Sequence, residues 1–284
     1  MRLCDLPRPF VVCVIYDDGI SAAVRTIGAA ERDGADAFEL NLPRLGYPPA
    51  ARLAPLFGAT QKPIFTSCRR APFTDVYGPC AHQSREMPEE DRMALQLDAL
   101  AVGSAGIDME LDTFDPHPAP LPDGEDIVDY ARRPGPPAEI TEDAGAVARQ
   151  QAVIGRVHAS RREVVMSCHA ARVLPVDDAI RVGRMMAARG ADLAKVVGVS
   201  RGIDDVPDLL RANLALAAVL PIPFTLMCVG REARIGRFLA PLCGSAWAFG
   251  QARHGAFELM PLVRELRAAF DTIRPGAVLR EVRR

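Results

Sequence analysis

Eight short apolar runs alternate with eight amphipathic stretches along this chain, and that order restricts the fold more than any other feature. The strand-like runs fall at 10–16, 35–42, 63–68, 107–111, 163–168, 193–197, 223–229 and 245–249. Helix-like stretches follow each of them, at 20–32, 49–57, 89–102, 140–159, 176–189, 206–219, 232–242 and 259–273. Strict β-then-α alternation predicts parallel strands joined by helical crossovers, and eight such units predict a single (β/α)8 barrel spanning 1–284. The competing architecture is an open doubly wound sheet. It is disfavoured because no glycine-rich dinucleotide fingerprint follows the first strand.

Two connections are longer than a minimal barrel needs, one after strand 3 (70–88) and an insertion-like one after strand 4 (113–138). Both are βα loops, so both belong to the C-terminal face, where such barrels carry their sites. They are candidate lids, with plain surface insertions as the alternative.

The remaining bulk properties exclude several functions. The formal charge is -2 with no basic cluster, which argues against a nucleic-acid or anionic-membrane partner. No apolar run approaches the roughly 20 residues needed to cross a bilayer. The opening MRLCDLPRPF lacks the apolar core of a secretory leader. Seven cysteines, an odd number without metal-like spacing, fit a reduced, cytoplasmic protein.

Of the 34 basic side chains only two are lysines, Lys62 and Lys195. Lys195 sits inside an apolar strand, sharing a face with Leu193 and Val197. Burial disfavours an ammonium, so the sequence predicts a lowered pKa and a nucleophilic amine able to form a Schiff base with a carbonyl. The alternative is a lysine that snorkels from the strand end or pairs with Glu39. His169 closes the neighbouring strand and is placed for acid/base work. Glu39 and Asn41 share one face of strand 2, and Asp108, Glu110 and Asp112 share one face of strand 4. Arg69, at the end of strand 3, and Arg237, after strand 7, offer forks for a carboxylate or hydroxyls. His82 and His117 lie in the two long loops as weaker candidates.

Taken in order, these segments resemble the type I 3-dehydroquinate dehydratase family over roughly 10–273. Val164-Val165-Met166-Ser167-Cys168-His169 resembles the strand ending in the family's catalytic histidine. Gly190-Ala191-Asp192-Leu193-Ala194-Lys195 resembles its Schiff-base lysine segment. Lys62-Pro63-Ile64-Phe65-Thr66-Ser67-Cys68-Arg69 resembles the strand with a substrate-binding arginine. Gly230-Arg231-Glu232-Ala233-Arg234-Ile235-Gly236-Arg237 resembles its carboxylate-binding loop, and Gly244-Ser245-Ala246-Trp247-Ala248-Phe249-Gly250 its last strand. Glu39 fits the strand 2 glutamate.

The resemblance implies a cofactor-independent lyase, with no metal, that eliminates water from 3-dehydroquinate or a related cyclic hydroxy-ketone carboxylate in the shikimate pathway. Lys195 would form the imine and His169 would move protons. Glu39, Asn41, Arg69, Arg237 and Met260 would contact substrate, and the assembly would be a homodimer. Three departures stand out. Asn41 replaces an arginine. Phe73 replaces the glutamate that touches the histidine. Ala256 and Met260 replace a serine and a glutamine of the final loop. They leave open an imine-forming aldolase, or a non-catalytic barrel that binds a small carboxylate.

Overall fold

The computed structural model describes residues 1–69, 87–118, 139–170, 172–230, 232–255 and 260–273. Phe73, His82, Ala256 and nearly all of the two long loops lie outside the described residues. The strands are β1 (Phe10–Ile15), β2 (Ala37–Asn41), β3 (Ile64–Ser67), β4 (Gly106–Glu110), β5 (Glu163–His169), β6 (Leu193–Ser200), β7 (Phe224–Gly230) and β8 (Trp247–Gly250). The helices are α1 (Ile20–Arg32), α2 (Ala50–Phe57), α3 (Glu89–Ala101), α4 (Ala144–Ala159), α5 (Val176–Arg189), α6 (Asp205–Val219), α7 (Ala233–Leu239) and α8 (Val263–Ile273).

All seven strand ladders are parallel, in the order β7-β6-β5-β4-β3-β2-β1-β8. This is the predicted barrel rather than the open sheet. The seam between β7 and β8 is closed without a regular ladder. The Ala246 amide donates to the Phe224 carbonyl (2.6 Å), the Leu226 amide to Ser245 Oγ (2.9 Å), and Thr225 Oγ1 to the Trp247 carbonyl (2.8 Å).

Alternation along each strand sorts the core. Val12, Val14, Ala37, Phe65, Val165, Leu193, Val197, Met227, Val229 and Phe249 form one buried cluster inside the barrel. The intervening residues, such as Ile107, Met109, Val164, Met166, Ala194 and Val196, pack with helix residues in a separate outer cluster. At the N-terminal end, Leu3 and Leu6 join the inner cluster. The Leu3 and Cys4 amides donate to the Glu163 carboxylate there (2.5 and 3.1 Å).

Three boundaries differ from the sequence expectation for local reasons. α4 starts at Ala144, not 140, because Asp143 Oδ1 accepts the Ala146 amide (2.7 Å) and caps it. α7 stops at Leu239 and gives way to a 3-10 turn containing Pro241, which has no N–H to continue the helix. α8 begins at Val263, just beyond Pro261.

The late start of α4 leaves Glu139 to Glu142 as a non-helical segment bound to the barrel rim by a buried clasp. Arg189 Nη1 donates to the Leu111 carbonyl (2.6 Å) and to Gln150 Oε1 (2.7 Å), and Nη2 donates to the Thr141 carbonyl. Gln150 Nε2 donates to the Leu111 and Thr113 carbonyls (3.1 and 2.8 Å). Both ends of the loop after β4 are thereby held together. Arg189→Leu leaves Gln150 Oε1 and the Thr141 carbonyl without their donor, at roughly 1–3 kcal/mol for each group left unsatisfied. The expected result is a clear fall in the urea midpoint. An unchanged midpoint would show that the clasp contributes nothing.

Candidate active site

The cavity at the C-terminal mouth is lined by Glu39, Asn41, Arg69, His169, Lys195, Arg237 and Met260, together with Val14, Tyr16, Val197, Met227, Val229 and Phe249. The seven residues to which the resemblance assigns site roles therefore line one cavity. His117 does not join them; it is exposed near the start of the second long loop.

Lys195 projects inward from β6, 6% exposed. Its Nζ donates to Asp108 Oδ2 (2.8 Å) on β4 and to Glu39 Oε2 (3.3 Å) on β2. It also lies 5.0 Å from the centre of the Phe249 ring. The lowered pKa expected from burial is thereby overturned. Burial pushes the amine down, but Asp108 and Glu39 outweigh it and hold the ammonium above its ordinary value. Asp108 is itself held by Ser167, whose hydroxyl donates to Oδ1 (2.5 Å).

His169 ends β5 with Nδ1 at 2.7 Å from Glu139 Oε2, and the same oxygen accepts its backbone amide (2.8 Å). Arg69 completes the group. Its Nη2 pairs with Glu139 Oε1, and its Nη1 lies 2.6 Å from His169 Nδ1. Nδ1 faces both a carboxylate, which only accepts, and a guanidinium, which only donates; with the ring proton assigned to the carboxylate contact, Nε2 carries the lone pair. Burial, followed by Arg69, lowers the His169 pKa below its usual 6.5, while Glu139 pulls the other way. The imidazole is therefore neutral at pH 7. Burial also acts to raise the Glu139 pKa, but Arg69 and His169 reverse this and keep the carboxyl far below its ordinary value. Behind Arg69, Glu110 lies 4.0 Å from Nη1 and 3.2 Å from Arg92 Nη1. A buried ladder of alternating charges thus fixes the histidine.

The other substrate-contact candidates are placed as follows. Arg237, on α7, is buried and its Nη1 lies 3.3 Å from Met227 Sδ. Asn41 Oδ1 accepts the Arg44 amide (3.2 Å). The Met260 carbonyl accepts from Gln251 Nε2 (2.6 Å), and the side chain belongs to the inner apolar cluster.

Sequence reasoning missed Glu139, and it put Asp108 on a polar face of strand 4 without giving it a role. Phe73 suggested that the histidine had lost its carboxylate; Glu139, from the other end of the next long loop, stands against the ring instead. Its only sequence signal is an acid directly following that insertion. Among the described residues, no group of three or more His, Cys, Asp or Glu is placed to hold a metal ion. No helix among them is long and apolar enough to cross a membrane.

The fold and cavity define a class, a (β/α)8 barrel with a buried lysine at the C-terminal mouth. The sequence model of the Type I 3-dehydroquinase family matches residues 10–276, and the chain belongs to that family. A 3-dehydroquinate dehydratase of Klebsiella pneumoniae is 29% identical over 128 residues, 44% of this chain and 51% of that protein. The match thus spans about half the length of this curated relative. The 3-dehydroquinate dehydratase of Geobacillus kaustophilus superposes with a TM-score of 0.74 at 17% identity, covering 96% of this chain and 97% of that one. The type I enzyme of Clostridium difficile, solved with covalent modified comenic acid, gives 0.72 at 15% identity, covering 95% and 94%. At these identities the structures speak for the fold alone.

Proposed function

We propose that this chain is a Schiff-base dehydratase that removes water from 3-dehydroquinate or a closely related cyclic hydroxy-ketone carboxylate. The observation that carries this reading is the Lys195 amine, gripped by two carboxylates in the same cavity as the neutral His169 and the buried Arg237.

Arg237 holds the substrate carboxylate, which sets the ring's orientation. Lys195 condenses with the ketone, and the imine stays protonated beside Asp108 and Glu39. The protonated imine withdraws electrons from the adjacent carbon. His169 Nε2 takes the proton there, giving an enamine. The enamine expels the β-hydroxyl, which leaves as water with the proton His169 has just gained. Hydrolysis of the conjugated imine returns the amine. Glu39, Asn41 and Arg69 line the hydroxyl-bearing side, and Met227, Met260, Phe249 and Val14 form the apolar wall. Family membership and the covalently modified ligand on the Clostridium difficile relative support this reading. The proposal includes one catalytic domain over 1–284, a cytoplasmic setting and a homodimer, the last checked by sedimentation.

Incubation with 3-dehydroquinate tests the reaction. Ultraviolet absorbance of a conjugated enone should rise as water is lost. Smaller carbon fragments instead would indicate retro-aldol cleavage, and binding without any product would indicate a carboxylate-binding barrel.

Glu139→Gln tests the histidine's support. The amide keeps the shape but loses the charge that raises the His169 pKa. The expected outcome is a fall in kcat of roughly 10–100-fold, the scale of lost orienting partners. The acidic limb of the pH profile should also move to lower pH. An unmoved limb with wild-type kcat would remove Glu139 from the mechanism.

A further inference from the structure

The chemistry above starts from an amine with a lone pair, whereas Lys195 sits within hydrogen-bond reach of two carboxylates that favour its ammonium form. Something must take its proton. The nearest base is Asp108 Oδ2, 2.8 Å from Nζ; Glu39 is farther, at 3.3 Å, and lines the cavity where substrate hydroxyls would sit. Asp108 is also held for the task. It is 4% exposed, and Ser167, the residue paired with Lys195 across the β5–β6 ladder, donates to its other oxygen. Adjacent strands β4, β5 and β6 thus place aspartate, serine and lysine together. His169 is committed to another carboxylate, Glu139.

We propose that Asp108 is a catalytic residue: the proton shuttle that activates Lys195 for imine formation, separate from the His169 couple that performs the elimination. The proposal rests on the Schiff-base reading above. Overall, the ammonium and the ketone give an iminium and water, so two protons leave the nitrogen and both end on the departing oxygen. Asp108 takes the first. The exposed lone pair forms the N–C bond while the carbonyl π pair moves to oxygen. The second proton passes from nitrogen to that oxygen, giving a neutral carbinolamine. Asp108 then delivers its proton to the hydroxyl, and the C–O bond breaks with its electron pair. Water leaves as the nitrogen lone pair closes the C=N bond. The carboxylate is restored beside the positive iminium, which it stabilises. No outside acid, base or oxidant is consumed.

The test is the rate at which a borohydride-trappable adduct forms on Lys195 after mixing with 3-dehydroquinate, followed by rapid quench and peptide mass. Wild type must form the adduct; if it does not, the Schiff-base reading fails and takes this proposal with it. Given a wild-type adduct, Asp108→Asn should form it at least ~100-fold more slowly, the scale of a lost proton-transfer group. Asp108→Glu should recover part of the rate. Asp108→Asn trapping at the wild-type rate would overturn the shuttle and leave the Schiff-base reading standing. If the asparagine variant does not fold by circular dichroism, Asp108→Ala with added formate replaces it. Trapping that accelerates with formate supports the shuttle, and a rate independent of formate overturns it.

Discussion

Lys195→Arg is expected to leave a folded protein with no measurable turnover. The guanidinium keeps a positive charge between Asp108 and Glu39, the two carboxylates that flank the native amine. The buried charge balance therefore survives, at the cost of fitting a larger group. Lys195→Ala is the poorer experiment. It strands two carboxylates in the barrel, and breaking a buried ion pair typically costs about 3–5 kcal/mol. Arginine, however, has no nitrogen that can lose its proton and attack a ketone in this environment. Turnover should fall by ~10⁴-fold or more, the scale seen when a covalent nucleophile is removed. Near-wild-type kcat in Lys195→Arg would make the lysine a structural cation.

His169→Ala should separate the two halves of the chemistry. The clamp on Lys195 is made by Asp108 and Glu39, which the substitution leaves in place, so adduct formation with a ketone should survive. Removal of the α-proton and protonation of the departing hydroxyl should not. A fall in kcat of about 10²–10⁴-fold is expected, with the adduct accumulating in place of product. Loss of both adduct and turnover would mean that His169 also serves the amine, contrary to the division of labour between Asp108 and His169. Unchanged turnover would remove it from the reaction.

The parts of this site that follow a period were legible in the sequence. Strand alternation put Lys195, Glu39 and Asn41 on inward faces, and strand order put His169 beside Lys195. Arg69 and Arg237 followed from their place at strand ends, on the face where a barrel gathers its loops. The electrostatics were legible only in the alternative that pairs Lys195 with Glu39; the contact with Asp108 was not foreseen. Burial alone predicts a depressed lysine, but Asp108 and Glu39 are 87 and 156 residues away in the chain. Their approach depends on how neighbouring strands stagger, which alternation does not fix. Glu139 escaped for a different reason. It lies on a non-helical segment after a long loop, so no period aims its side chain. Its position comes from the Arg189–Gln150 clasp and from Arg69, and both arginines are distant in sequence. The glutamate implied by the resemblance is Phe73 here, outside the described residues, and the carboxylate against the ring is Glu139.

The same contrast bears on substrate choice. Lys195, His169, Arg69 and Arg237, which the resemblance matches to the family, share one cavity with Asn41 and Met260, which it marks as departures. A site that retains its reactive groups and changes its surroundings keeps its reaction class more firmly than its exact substrate.

Borohydride reduction of the wild-type protein with saturating 3-dehydroquinate, followed by peptide mass mapping, tests the central claim most directly. A substrate-derived mass on the peptide containing Lys195, with Lys62 unmodified, is the predicted result. An unmodified Lys195 under those conditions would contradict it.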